Sequence, residues 1–284
     1  MTKVKRLAKV REILIEDIDE FPNHPYKVRD DDEMAALIES IRDNGVMTPA
    51  VVRKKKGGRF ELLSGHRRKR ACELLWKETL RCEIVEIDDD AAIIFMCDSN
   101  LYRTRILPSE KAFAYKMRLD AMKRQGKRND LTFATSVQKL YRSRNILAKE
   151  VGESHETVRR YIRLTKLIPE ILKMVDEGEI GLRPAVEISY LPKELQEELL
   201  DCMEMEACKP NHAQTLRMRV LLSDGKLTPE AIAEIMQEEK PNQREKIILR
   251  DERVRRLLPK DLPVSKREEY IIAALAHYVK IRQG

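Results

Sequence analysis

The stretch Phe60–Ala71, FELLSGHRRKRA, runs from an apolar-rich segment through Ser-Gly into four basic residues behind a histidine. It reads as a strand, a tight turn and the first turn of a helix. A helix N-terminus already carries positive partial charge, so a basic block there costs stability unless something anionic meets it. Backbone N–H groups at a helix start are unpaired and point outward. Gly65 lets the chain turn tightly and approach a ligand closely. Arg67, Arg68 and Arg70 can add charge-assisted hydrogen bonds to phosphate oxygens, with Ser64 and His66 beside them. The turn therefore reads as a phosphate cradle without a Walker-type loop. An exposed basic helix that touches nucleic-acid phosphates nonspecifically fits the same spacing.

Working outward, the first hundred residues alternate between strand and helix signals. VREILIEDI (10–18) reads as a strand. DDEMAALIESIRDNG (31–45) reads as a helix, capped by Asp31 or Asp32, stopped by Gly45 and buried through Met34, Leu37, Ile38 and Ile41. AVVRKKKGGRFELLSG (50–65) reads as a hairpin turning at Gly57-Gly58. HRRKRACELLW (66–76) is a helix with Ala71, Leu74 and Leu75 inward, and RCEIVEI (81–87) is another strand. After Pro108 the strand signals largely vanish. The fold class is α+β: a small mixed-sheet domain over residues 1–100, an all-α domain over 101–222, and a small C-terminal unit over 223–284.

In the helical part, SEKAFAYKMRLDAMKRQG (109–126) is capped by Ser109 and stopped by Gly126, and KRNDLTFATSV (127–137) is a polar connection. RNILAKEVGESHETVRRYIRLTKL (144–167) matches a DNA-binding helix-turn-helix, placed at 144–164. Ile146, Leu147 and Val151 pack its first helix, Gly152 makes the turn, Ser154 caps the second helix, and Val158 and Ile162 bury its inner face. That leaves His155, Glu156, Thr157, Arg159, Arg160 and Arg163 outward. Residues at the start of such a recognition helix read base edges in the major groove. Between Tyr141 and Lys166 seven basic residues face three acidic ones, a balance suited to phosphate contacts. A plain helical hairpin in a bundle is the alternative. KELQEELLDCMEME (193–206) is acidic and should face solvent or a basic partner, its methionines serving the core. REKIILRDERVRRLL (244–258) suggests a strand and a helix, and SKREEYIIAALAHYVKIR (265–282) a last helix with Ile271, Leu275 and Tyr278 on one face.

The chain has 284 residues, 42% hydrophobic and 36% charged, and a formal charge of +7. That admits two or three packed domains and suggests a polyanionic partner. Its five cysteines have no CxxC spacing, which argues against a zinc ribbon or a disulfide framework and for reduced thiols. The N-terminus has no apolar h-region, and the longest apolar run, Ala91–Cys97, is too short to span a bilayer. A soluble cytoplasmic protein is expected.

MCDSNLYRTRILPSEKA (96–112) places Asp98, Asn100 and Arg103 at the junction of the two main domains. A carboxylate and an amide oxygen are reasonable Mg²⁺ ligands beside phosphates, with Arg103 a further anion contact. Helix capping at Asp98 and Ser99 explains the same residues without a metal.

These segments, taken in order, resemble the ParB family of DNA-partition proteins. GHRRKRA looks like the family's glycine–glutamate–arginine–arginine box, and HPYKVR (24–29) resembles its asparagine–proline–x–glutamine–proline–arginine box. SIRDNGVMTPAVVR (40–53) is similar to the segment lining the base pocket. SNLYR (99–103) resembles the glutamate–asparagine–leucine–glutamine–arginine box. ILPSEKAFAYKMRL (106–119) continues the pattern, and the helix-turn-helix falls where the family places it. The resemblance implies a CTP-dependent DNA clamp: a homodimer that binds CTP with Mg²⁺, loads at a palindromic double-stranded DNA site, associates with the nucleoid and works with a ParA-type ATPase engaging the basic N-terminal tail. Carried onto this chain, Ser64, Gly65, His66, Arg67 and Arg68 would hold phosphates and Thr48 and Pro49 would line the cytosine pocket. Arg29 would sit near the nucleotide, Asn100 would contact Mg²⁺ and Arg103 would brace the site. The chain departs from the pattern at His66 and Ser99, both glutamates in the family, and at Lys27, Val28 and Thr48. Loss of the glutamate at Ser99 points to nucleotide binding with little turnover, so a slow CTPase activity is an open expectation. The rival functions are a helix-turn-helix transcription regulator or nucleoid-associated factor, a nuclease, for which no carboxylate cluster is seen near the cradle, and a sulfiredoxin-like enzyme, for which Gly65-His66-Arg67 omits the nucleophilic cysteine.

Overall fold

The computed structural model describes residues 5–100, 106–129, 136–238, 258–259 and 267–283. They fall into two compact units, 1–236 and 237–284. The first begins with β1 (Lys5–Leu14), a 3₁₀ turn (Ile15–Asp17), β2 (Ile18–Asp19), α1 (Asp32–Asn44), β3 (Ala50–Lys54), β4 (Phe60–Ser64), α2 (His66–Leu74), β5 (Thr79–Glu86) and α3 (Asp89–Asn100). The five strands lie in the order β1-β5-β3-β4-β2. β1–β5 and β3–β4 are antiparallel, while β3–β5 and β2–β4 are parallel.

Both faces of this sheet are covered, and the two-residue period of a strand shows it. On β4, Leu62 joins the cluster with α1 and α2 (Met34, Ile41, Ala71, Cys72), and Leu63 joins the opposite cluster with α3 (Ala92, Met96, Cys97). On β5, Ile84 and Val85 divide in the same way. The expected hairpin turns at Gly57 and Gly58, both at positive φ, and Lys55 N donates to Arg59 O at 2.8 Å. The sequence-based strand at 10–18 is displaced: β1 starts earlier and breaks at Ile15, where the 3₁₀ turn intervenes. Leu74, expected inside, is exposed, while Cys72, two residues earlier and on the opposite face of the helix, is buried.

The helices continue with α4 (Pro108–Asn129), α5 (Ser136–Val151), α6 (His155–Leu164), α7 (Pro169–Asp176), α8 (Leu182–Ile188), α9 (Lys193–Met205), α10 (His212–Ser223) and α11 (Pro229–Gln237). α4 runs through Gly126 instead of stopping there. Ser109 does not act as its cap: Ser109 N and Oγ donate to the Asp176 carboxylate on α7 at 2.9 and 2.5 Å. α4 supplies residues to three cores: Ala112 to that of α6–α11, Ala114 to the sheet, and Tyr115 and Leu119 to that of α5 and α6. In α9, Met203 is core as expected, but Met205 is exposed. α11 buries Ile232, Ile235 and Met236 in the helical core.

In the second unit the described helix is Arg267–Gln283, with Leu275 and Tyr278 exposed and Ile271 half-buried. The strand and helix expected over 244–258 lie almost wholly outside the described residues. No helix among the described residues is long and apolar enough to cross a membrane.

Candidate anion cradle and nucleic-acid interface

Gly65 caps α2 in the left-handed region, φ 104° and ψ 22°. A Cβ there would lie 2.9 Å from Ala50 Cβ, so the residue must be glycine both for its dihedral and for the close approach to β3. No side chain caps α2, so its first N–H groups open onto the cradle. Three chain segments meet here. Arg68 Nη1 donates to the backbone carbonyls of Thr48 and of Pro49, the latter at 2.7 Å. Arg67 Nη2 reaches Asp31 Oδ1 at 3.0 Å and Arg67 Nη1 reaches Glu33 Oε2 at 3.2 Å. Arg70 Nη2 reaches Asp30 Oδ2 at 2.8 Å. Thus Thr48–Pro49, Ser64–Arg70 and the segment just after the exposed Arg29 are brought together.

The basic block is already neutralised in part by carboxylates. Lys69, buried, bonds Glu20 at 2.8 Å and Glu73 at 3.1 Å. Burial pulls the Lys69 ammonium down, but these two acids outweigh it and its pKa ends above the usual value. Burial lowers the Arg68 pKa. The Met34 N–H, with Arg67 behind it, holds Asp31 below its usual value, and the Arg70 hydrogen bond does the same for Asp30. His66 is buried, its ring stacked on His24 at 3.7 Å between centroids, and its Nε2 lies 3.5 Å from Glu20 Oε2. Glu20, Asp30 and Glu33 were not singled out from the sequence, and Asp31 was read as a helix cap and not as a partner of the arginines. The run DDDE directly after Arg29 was the available signal, an opposite-charge block complementing the arginines.

Among the described residues of the second half of the expected site, Asp98 and Asn100 are not brought together. Asp98 Oδ1 pairs with Arg118 Nη2 at 2.8 Å, and the same nitrogen meets Glu150 Oε2 of α5 at 2.7 Å. Burial raises the Asp98 pKa against the pull of Arg118. Asn100 Nδ2 donates within its own helix, to Met96 O at 3.0 Å and Ser99 Oγ at 3.2 Å. Two residues apart on a helix, Asp98 and Asn100 point to different faces. Arg103 lies outside the described residues. No group of three acidic, histidine or cysteine side chains suited to a metal is found among the described residues. The described donors therefore do not fit a Mg²⁺ site, while the glycine turn and the open helix start fit phosphate.

The helix-turn-helix is formed by α5 and α6, its first helix starting at Ser136, ahead of the expected Arg144. Gly152 turns at φ 68°. Ser154 caps α6, accepting from Thr157 N at 3.0 Å and meeting Thr157 Oγ1 at 2.8 Å. Leu147, Ala148 and Val158 are buried against Tyr115 and Leu119. Ile146, expected in the core, is 49% exposed, since Leu147 occupies the inward position. His155 is half-buried. Arg159 bonds Glu156 at 2.8 Å and Arg160 lies 3.4 Å from it, and that contact raises the Arg159 pKa. Arg163 does not project freely: its Nε donates to Ser189 Oγ at 3.0 Å, its Nη2 to Ser189 O at 2.6 Å, and its guanidinium lies over Tyr190.

Residues 1–101 match the family profile described as the ParB N-terminal domain, and residues 132–214 the profile described as the ParB HTH domain. The chain belongs to the ParB family. This ParB chain is 30% identical over 198 residues to the probable chromosome-partitioning protein ParB of Mycobacterium leprae, covering 68% of the chain and 54% of that protein. It is 29% identical over 187 residues to the probable chromosome 1-partitioning protein ParB of Deinococcus radiodurans, covering 66% of the chain and 58% of that protein. The matched region thus spans little more than half the length of these curated relatives. The solved pNOB8-like ParB N-domain is similar in fold, with TM-score 0.50 at 16% identity, covering 84% of this ParB chain and 97% of that one.

Proposed function

We propose that this chain is a nucleotide-regulated, sequence-specific DNA-binding partition protein that binds CTP at the α2 cradle and a palindromic DNA duplex through α6. The observation that carries the reading is the meeting of Thr48–Pro49, Ser64–Gly65 and Arg67–Arg70 around one open helix start. In this reading the N–H groups behind Gly65 and the guanidinium of Arg67 take phosphate oxygens. Arg68 holds the Thr48–Pro49 loop against which the base lies. Arg67 and Arg70 must exchange carboxylate for phosphate, so nucleotide entry competes with Asp30, Asp31 and Glu33. The N-cap geometry of Ser154 sets His155, Thr157 and Arg160 at the leading end of α6, where base edges are read. No hydrolytic step is assigned, because the described residues around Asp98 and Asn100 do not fit a metal site.

A two-fold dimer, a nucleoid location in the cytoplasm and a ParA-type ATPase partner belong to the same proposal. A palindromic operator asks for two copies of the chain. The exposed apolar residues of Arg267–Gln283 supply a surface for that pairing.

Calorimetric titration with CTP, against ATP and GTP, on wild type and Arg67→Ala tests the reading. Selective CTP binding, weakened about tenfold or more by the substitution, is the expected result. Absence of CTP binding both with and without DNA would leave a conventional helix-turn-helix regulator.

A further inference from the structure

Around Tyr190, at the end of α8, the chain gathers more positive charge than it neutralises. The Cζ atoms of Arg163 on α6 and Arg219 on α10 each lie 3.9 Å from the centroid of the Tyr190 ring. Arg159 Nη1 donates to the Tyr190 hydroxyl at 3.3 Å. The acids within reach are few. Glu187 pairs with Arg219 at 2.7 Å, and Glu156 is shared between Arg159 and Arg160. Arg163 bonds only the neutral oxygens of Ser189 in the described contacts. Four arginines thus meet two carboxylates across α6, α8 and α10. Like charges this close repel, and burial pushes the Arg163 pKa down, with Arg219 and Arg159 adding to the effect. Such an arrangement is completed by an anion.

The position of the cluster says which anion. Residue 163 stands eight places along α6 from residue 155, about 12 Å along a helix axis. When the first turn of α6 enters a major groove roughly 8.5 Å deep, the far end of the helix returns to the level of the groove wall, where the phosphates run. We infer that Arg163 and Arg219, stacked on Tyr190 with Arg159 beside them, form a second contact that grips a DNA backbone phosphate apart from the base-reading face. Tyr190 acts as a positioning residue: its ring packs against both guanidinium groups, each with its Cζ 3.9 Å from the ring centroid. The inference rests on the DNA-binding reading of α6.

Binding to a short random-sequence DNA duplex over a salt series tests it, with folding checked by thermal melting. Arg219→Ala should make the slope of log affinity against log salt shallower by about 0.9, the loss of one phosphate contact. Tyr190→Leu should do the same although it changes no charge, and Tyr190→Phe should leave the slope unaltered. A wild-type slope in both Arg219→Ala and Tyr190→Leu overturns the inference. Should Tyr190→Leu fail to fold, the half-exposed Arg219 still decides the matter. Arg160→Ala separates this result from failure of the DNA reading: lost binding there beside a wild-type slope in Arg219→Ala confines DNA contact to the recognition helix. Wild type that binds no duplex at all removes both. Saturable binding of inorganic phosphate at constant ionic strength, with no slope change in Arg219→Ala, would mark the cluster as a free-anion site instead and overturn the backbone contact.

Discussion

Gly65 and Asp31 hold the cradle in opposite senses. Gly65 combines a positive φ with no room for a Cβ, which would lie 2.9 Å from Ala50 Cβ, whereas Gly58 has a similar φ of 84° and open space around it. Gly65→Ala should therefore destabilise the fold by about 1–3 kcal/mol more than Gly58→Ala, read from denaturant unfolding, since both pay for the dihedral and only one also meets Ala50. Asp31 caps α1 and also occupies Arg67. Asp31→Ser keeps a capping oxygen and leaves the Arg67 guanidinium held by Glu33 alone, so affinity for CTP should rise in calorimetric titration, and rise further when Glu33→Gln is added. The same pairings fix an acid sensitivity. Asp30 and Asp31 have folded pKa values below the ordinary carboxylate range. Their stabilising contribution is full above the unfolded value, near 4, and is lost as pH falls through the lower folded values. Melting temperature should fall below about pH 4 in wild type, and the part due to Asp30 should disappear in Asp30→Asn.

At the scale of single elements, α3, α4 and α5 are tied by Arg118, whose Nη2 serves both Asp98 and Glu150 while its buried Nε and Nη1 have no partner among the described residues. Removing one member of such a group strands the others, whereas replacing all three by neutral groups does not. Arg118→Met should cost about 1–3 kcal/mol, discounted for the exposure of both acids, and much of that loss should be recovered when Asp98→Asn and Glu150→Gln are added, measured by chemical denaturation. The helix-turn-helix offers a plainer comparison. Leu147→Ala should cost about 2–5 kcal/mol and Ile146→Ser less than about 0.5, because only Leu147 is buried. This pair shows what was legible in the sequence. The strand–glycine–helix turn, a cap at Asp31 or Asp32, the Ser154 cap and the turn at Gly152 were readable, because each depends on a few adjacent residues. Which of Ile146 and Leu147 faces inward depends on α4, far off in sequence. The inward course of Arg163 depends on Ser189 and Tyr190, and the diversion of Asp98 on Arg118. Local periodicity carries none of these long-range choices. The carboxylates that occupy the cradle arginines were present as a charge pattern, but opposite-charge runs name no partners until the fold brings them together.

On the scale of the whole first unit, α4 gives residues to three of the four cores, so the sheet domain and the helical domain share buried surface instead of meeting at a linker. Lys27 N donates to Glu110 Oε1 at 2.9 Å and Lys111 Nζ reaches Glu153 Oε1 at 3.0 Å, tying the same helix to the segment ahead of the cradle and to the turn before α6. Calorimetry of the intact chain should accordingly show the two domains unfolding in one transition, with Ala114→Gly lowering its midpoint without splitting it.

That shared helix also restricts how the molecule can move. Ala112, Ala114 and Ala121 are fully buried, small residues that let α4 pass close to its neighbours, and the exposed stripe left to it runs past Phe113. Rotation about its axis to relieve one core would drive these short side chains out of register with the other two. Axial sliding preserves which residue faces which core, and ridges meet grooves again after one helical turn, about 5.4 Å. That same sliding would break Ser109–Asp176, Lys27–Glu110 and Arg118–Asp98, so α4 is held against sliding as well as rotation and serves as a fixed spine of the unit.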